Sequence, residues 1–224
     1  MNGYLVFSRP EEHLEGLHGI VTLPTGYDPA GEETLPMIVF LHGSGESGDG
    51  SKEQIRRVFA HGIPKYFRKN PDYQGLRVIT LSPQCPDGLT WNDLTLQLKD
   101  FIDAAAQRYG ADKTRISLTG LSRGGFGTWS MACAFPEAFW RLAPICGGGV
   151  SWRADERFAG KPIRVFHSVD DDSVPFECSV DMVRSASAAG ADVTFTAYTK
   201  EGHGCWNRAY EEGDLIEWLA GAVD

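Results

Sequence analysis

Seven short runs rich in β-branched and other apolar residues recur along the chain, at 19–23, 37–41, 77–81, 115–119, 142–146, 163–167 and 193–198. Several are apolar at every position, which is what a strand needs when helices cover both of its faces and neither side meets water. Between the runs, residues 51–60, 94–108, 125–135, 178–189 and 210–220 space their apolar side chains three and four apart, the helical period. Strands alternating with helices predict a doubly wound, mostly parallel α/β sheet with helices on both faces. A chain of 224 residues with 42% hydrophobic content fits one compact domain, 1–224. The Gly-, Pro- and Glu-rich stretch 24–36 is short enough for a surface loop, and 147–161 is too short for a large lid, so an open site is expected.

Charge and cysteine usage narrow the classes of partner. The formal net charge is −9 with no cluster of Lys and Arg, which opposes binding to nucleic acid. Cys85, Cys133, Cys146, Cys178 and Cys205 are odd in number and form no CxxC pair, so reduced thiols are expected. The start, MNGYLVFSRPEEHLEG, lacks the basic and apolar regions of a signal peptide, and no run approaches the ~18 apolar residues of a membrane span. A cytoplasmic protein without a membrane partner is the expectation. Oligomeric state is not written in the sequence.

The sharpest chemical signal is Gly120-Leu121-Ser122-Arg123-Gly124, a G-x-S-x-G pentapeptide directly after the run 115–119 and directly before the helix beginning near Gly125. In that context it is a nucleophile elbow. The glycines permit a tight strand-to-helix turn that exposes the Ser122 hydroxyl above a helix N-terminus. A hydroxyl needs an imidazole to take its proton and a carboxylate to orient the imidazole, and in a sheet of this kind both follow downstream, acid before base. His203, in Lys200-Glu201-Gly202-His203-Gly204, satisfies the last position. His13, His18, His61, His42 and His167 are read as surface or packing residues. The acid comes from Asp170-Asp171-Asp172, which follows the run 163–167, and the pattern alone leaves all three open. No further ligands stand near them at metal-binding spacing, so neither a metal nor another cofactor is expected. An oxyanion needs two backbone donors: Arg123 supplies one by position, and Ser44, with Gly43 as the fallback, supplies the other from the small-residue loop after 37–41. Glu46 is assigned to tying that loop. Trp91 and Trp206 are placed at the border of the substrate pocket.

The succession LPTGYDP, FLHGSGESGDG, DKTRISLTGLSRGGFGTW, APICGGG, HSVDDDSVP and EGHGCW resembles the prolyl-oligopeptidase-like and carbohydrate-esterase-like branch of the α/β hydrolases, which includes phospholipase/carboxylesterases and predicted peptidases. The likeness runs from about Gly19 to the C-terminus. It implies the α/β-hydrolase fold and a nucleophilic serine, an acid shortly before Val-Pro and a histidine in a Gly-His segment, at Ser122, Asp171 and His203. Relatives often carry Met or Gln after the nucleophile, where this chain has Arg123, whose side chain is expected to pair with a nearby acid. The resemblance implies cleavage of a small-molecule carboxylic ester, with short acyl groups expected, through an acyl-enzyme and without a cofactor. Peptidase or aminoacyl amidase activity is the alternative within the same chemistry, and a non-catalytic binding module on a hydrolase fold is the alternative outside it.

Overall fold

The computed structural model describes the backbone of Leu5–Ser8 and all of residues 17–224; His13 lies outside them. Among the described residues, eight strands form one sheet: β1 (Leu5–Ser8), β2 (His18–Thr22), β3 (Leu35–Leu41), β4 (Ile79–Gln84), β5 (Ala111–Leu121), β6 (Leu142–Ile145), β7 (Pro162–Ser168) and β8 (Asp192–Tyr198), in the spatial order β1-β2-β4-β3-β5-β6-β7-β8. The pairings β1·β2 and β2·β4 are antiparallel and every other pairing is parallel.

Burial explains why the runs are apolar throughout. Every residue of β3 is buried. Met37, Val39 and Leu41 pack into one core with Leu98, Phe101 and Ile102 of α2 (Thr95–Arg108), Trp129 of α3 (Arg123–Ala134) and Met182 of α4 (Glu177–Ala188). Ile38 and Phe40 pack into a second core with Ile63 and Phe67 of α1 (Gly62–Phe67), Tyr210 of α5 (Trp206–Glu211) and Leu219 of α6 (Leu215–Ala220). Alternate side chains of one strand thus serve opposite faces, and the expected two-sided parallel sheet is what the chain forms.

Several boundaries differ from the sequence pattern for identifiable reasons. Of 51–60, only Gln54–Ala60 is helical, and it is a 3₁₀ segment whose buried Ile55, Val58 and Phe59 are spaced at three and four. The segment before it is held to the sheet by Gln84, whose side chain donates to the Glu46 and Gln54 carbonyls and accepts from the Gly50 amide. The strand expected at 77–81 starts at Ile79 and continues through buried Ser82 and Gln84. The helix expected at 210–220 is two helices, because Gly213 stands at φ +105°, outside the helical region. Between β6 and β7 the chain holds only two short 3₁₀ turns, Ser151–Arg153 and Glu156–Phe158, and no lid.

Candidate active site

Strand β5 and helix α3 meet at Ser122, which adopts φ +54°, ψ −119°, a conformation that L-residues rarely occupy. Crossing contacts enforce it. A Cβ on Gly124 would stand 1.9 Å from the Leu41 carbonyl oxygen, and one on Gly120 would stand 2.4 Å from the Gly124 carbonyl oxygen. Only glycines let the strand, the helix start and the end of β3 approach this closely. The Ser122 amide donates to Ile145 O and its carbonyl accepts from Phe126 N, so both sides of the turn are anchored.

The structure brings the three sequence-derived residues together. Ser122 Oγ lies 2.9 Å from His203 Nε2, and His203 Nδ1 lies 2.8 Å from Asp171 Oδ2 and 3.0 Å from Oδ1. The Asp171 side chain is wholly buried, while His203 remains partly exposed. Burial pushes the Asp171 carboxyl up, but the Val174 amide, His203 and the Ser173 amide outweigh it and hold the group below the usual aspartate value. The neighbouring acids have other partners. Asp170 accepts from the Ser168 hydroxyl and the Gly202 amide, tethering the loop that carries His203, and Asp172 accepts from the Ser173 hydroxyl at the surface.

A second imidazole reaches the same acid, which the sequence reading did not foresee. His167, at the end of β7, is fully buried, with Nε2 3.2 Å from Asp171 Oδ2 and 3.1 Å from Val174 O. Both neighbours are acceptors, so Nε2 carries the proton. Nδ1 stands 2.8 Å from the hydroxyl of buried Ser179. Burial lowers the His167 pKa against the pull of Asp171, and the Ser179 hydroxyl that meets Nδ1 also donates to Gly147 O at 2.7 Å, tying the ring to the loop after β6. The position of His167 five residues before the Asp-Ser-Val-Pro string was the available signal.

The loop after β3 lies beside Ser122, on the side where the second oxyanion donor is expected. Ser44 opens a 3₁₀ turn (Ser44–Glu46) and Arg123 opens α3, so neither amide has a partner within its own helix. Both residues line a cavity of about 350 Å³ with Ser122, Thr90, Asn92 and Phe126. Gly43 lies against Leu121 and Ser122, where a Cβ would meet the Leu121 side chain at 3.0 Å. Beneath it, the buried Glu46 carboxyl is raised in pKa by burial, and the acid sits 3.8 Å from His42 and 3.9 Å from His61. His42 pins the loop to the sheet: Nδ1 donates to Gly43 O at 2.6 Å and Nε2 accepts the Cys85 amide at 2.9 Å.

Three expectations about side chains change. Trp91 is fully buried and does not border the cavity; its indole N–H donates to His42 O, so it holds the loop after β3, while its neighbours Thr90 and Asn92 face the cavity. Trp206 stands edge-on to the rings of His203 and His61, at 5.2 Å and 5.4 Å between centroids, rather than in the cavity wall. Arg123 pairs with no carboxylate among the described residues; its Nη1 donates to Ser47 Oγ and Leu89 O.

Among the described residues, the one cluster with metal-ligand chemistry is Cys146, Asp171 and His203. It is poorly suited to an ion. Burial holds the Cys146 thiol well above its ordinary pKa, keeping it protonated, and the Asp171 oxygens already accept from two amides and two imidazoles. All five cysteines are free thiols, and no described helix is long and apolar enough to cross a membrane.

Sheet order, elbow and the Ser–His–Asp geometry together define an α/β-hydrolase fold. A structure described as a thermostable esterase matches 97% of this chain and 62% of its own length at 32% identity, with a TM-score of 0.79. Poly(3-hydroxyalkanoate) depolymerase C of Paucimonas lemoignei is 40% identical over 119 residues, which are 50% of this chain; the chain spans 28% of that protein's length. The feruloyl esterase module from Clostridium thermocellum, solved as an S954A mutant with sinapinate, shares the fold at a TM-score of 0.73 and 14% identity, over 95% of this chain and 87% of that one. No protein-family model matches the chain.

Proposed function

We propose that the protein is a serine hydrolase of carboxylic esters working through an acyl-enzyme, with Ser122, His203 and Asp171 as its triad. The observation that carries this is the continuous chain of contacts, 2.9 Å from Ser122 Oγ to His203 Nε2 and 2.8 Å from His203 Nδ1 to Asp171, at the one serine whose backbone is strained to expose it. Ser122 Oγ attacks the ester carbonyl as its proton passes to His203 Nε2, and the Ser44 and Arg123 amides receive the oxyanion. Collapse of the tetrahedral intermediate expels the alcohol, which takes the proton from Nε2. Water, deprotonated by the same nitrogen, then releases the acid and restores the serine. Asp171 fixes the tautomer with the proton on Nδ1, leaving Nε2 free to accept.

Ester cleavage is preferred over amide cleavage because the sequence likeness above 30% runs to an esterase and a polyester depolymerase. The five unpaired thiols support a reducing, cytoplasmic setting. A fluorophosphonate probe tests the central claim, since it labels a serine only where a base activates it. Wild-type protein is expected to be labelled, and Ser122→Ala is expected to lose both labelling and p-nitrophenyl ester turnover, the latter by at least ~10³-fold. A folded wild-type protein that takes no label would instead be a binding module.

A further inference from the structure

A second cavity of about 220 Å³ adjoins the one at Ser122, and the two share Asn92 and Phe126 as walls. The second chamber follows one face of α3: Phe126, Trp129, Ser130 and Cys133 succeed Ser122 at spacings of three and four, so each stands one turn further along the helix. Val150 and Arg153 close it from the loop after β6. Val150 is half-exposed and Arg153 is exposed, so the rim of the chamber pairs an apolar side chain with a cation.

Which half of an ester this cleft receives follows from the position of His203. The departing alcohol must lie within reach of Nε2 to be protonated, and the His203 ring stands against Trp206 and His61, outside the walls of either chamber. The cleft bounded by Ser44, Ser122 and Phe126 therefore takes the acyl part.

Its charge is opposite to that of the molecule. The chain carries a formal net charge of −9, yet no acidic residue lines either chamber, whereas Arg123 lines the first and Arg153 the second. Among the described residues neither guanidinium forms an ion pair with a carboxylate, although Arg77, Arg115, Arg157, Arg164 and Arg208 each do. A cleft lined by two arginines and no acid, with Phe126, Trp129 and Val150 as its apolar wall, favours an anion on an apolar stem.

We infer that the cleft selects esters whose acyl group is extended and carries a carboxylate, its apolar stem lying along Phe126, Trp129 and Val150 and its anionic group meeting Arg123 or Arg153. This inference rests on the ester-hydrolase reading and adds a carboxylate to the expected acyl group. From Ser122 to Ser130 the helix rises about 12 Å, a span matched by about eight to ten carbon–carbon bonds, so half-esters of C4 to C10 dicarboxylic acids cover the range from the first arginine to the second.

The test compares mono-4-nitrophenyl esters of the C4, C6, C8 and C10 dicarboxylic acids with the corresponding 4-nitrophenyl, methyl diesters, in wild-type protein, Arg123→Gln and Arg153→Gln, each checked for folding by circular dichroism. In the wild type, kcat/KM for the best carboxylated ester is expected to exceed that of its neutral counterpart about tenfold, and at least one of the two variants is expected to lower that ratio to about threefold or less. Equal turnover of the charged and neutral series, or a ratio unchanged in both variants, overturns the inference. Titration calorimetry of Ser122→Ala with free suberate and sebacate separates the site from the chemistry. Binding that weakens with sodium chloride and is lost on adding Arg123→Gln or Arg153→Gln supports the anion site even where the fluorophosphonate test fails. Absence of binding to a folded Ser122→Ala protein counts against the anion site whatever the outcome of that labelling.

Discussion

His42 is the imidazole whose protonation this fold opposes most clearly. Burial, with the Arg123 charge adding to it against the Gly43 hydrogen bond, pushes its pKa down to about 4 from an ordinary 6.5. Between those values the unfolded chain binds more protons than the folded one, so the contribution of His42 is complete above about pH 6.5 and is lost as the pH falls towards 4. The loss amounts to roughly 3 kcal/mol. Unfolding midpoints in denaturant, measured from pH 7 to pH 4, are expected to fall, and His42→Gln is expected to flatten the slope. His167 makes a different prediction. Its Nε2–H fixes the carboxylate that orients His203. His167→Phe keeps the ring volume but removes the donor, and kcat/KM for a p-nitrophenyl ester is expected to fall on the order of tenfold, with partial rescue in His167→Gln. An unchanged rate in His167→Phe would show that the Val174 and Ser173 amides hold Asp171 unaided. Ser122 and His203 were legible in the sequence because glycines and chain order mark them. The choice among Asp170, Asp171 and Asp172 was not: a run of three acids carries no periodicity, and only the fold shows that one turns to His203, one to the Gly202 amide and one to solvent. His167 stayed hidden for a related reason, since a histidine at a strand end looks the same whether it packs or bonds.

At the scale of elements, the elbow depends on glycines in a way that single substitutions can separate. Gly124→Ala would drive a methyl into the Leu41 carbonyl, backbone against backbone, with no flexible side chain to yield. The strand-to-helix junction is expected to lose at least ~3 kcal/mol of stability, or the protein to fail to accumulate. Gly45→Ala, in the loop facing it, has open space around the new methyl and is expected to stay within about 0.5 kcal/mol of wild type by chemical denaturation. Strands were read well from the sequence because burial on both faces makes them continuously apolar, as in β3. Short helices were read poorly. α1 spans only Gly62–Phe67, begins at a glycine and includes Pro64, so its few apolar residues form no repeating pattern. The 210–220 segment kept a helical period across Gly213, whose positive φ splits it into α5 and α6.

Across the whole molecule, the two cores are closed by different means. The α2–α3–α4 side is built from long helices, whereas the side under α1, α5 and α6 is closed by six-residue helices, each too short to hold itself. Arg141 is one of the devices that fasten it. The guanidinium is buried between Trp140 and Trp218 and donates to the Trp218 and Val223 carbonyls, clamping the end of α6 to the sheet beside β6. Arg141→Ala removes the clamp and leaves two carbonyls to find new donors, at a cost of about 2–3 kcal/mol. For a chain of this size that is expected to lower the melting temperature by roughly 5–10 °C, with turnover of a p-nitrophenyl ester at 25 °C much less affected. A melting temperature within a degree of wild type would show that the apolar contacts of Trp218 suffice.

The parallel strands carry one further implication for anyone building with this scaffold. Ser122, Asp171 and His203 all issue from strand carboxyl ends, so the turns at the amino ends, such as those at Gly160 and Gly190 before β7 and β8, stand about 20 Å away, a strand's length. Foreign sequence grafted at those turns has the length of the sheet between itself and Ser122, which makes the far rim the natural place for a reporter, a tether or an anchoring peptide.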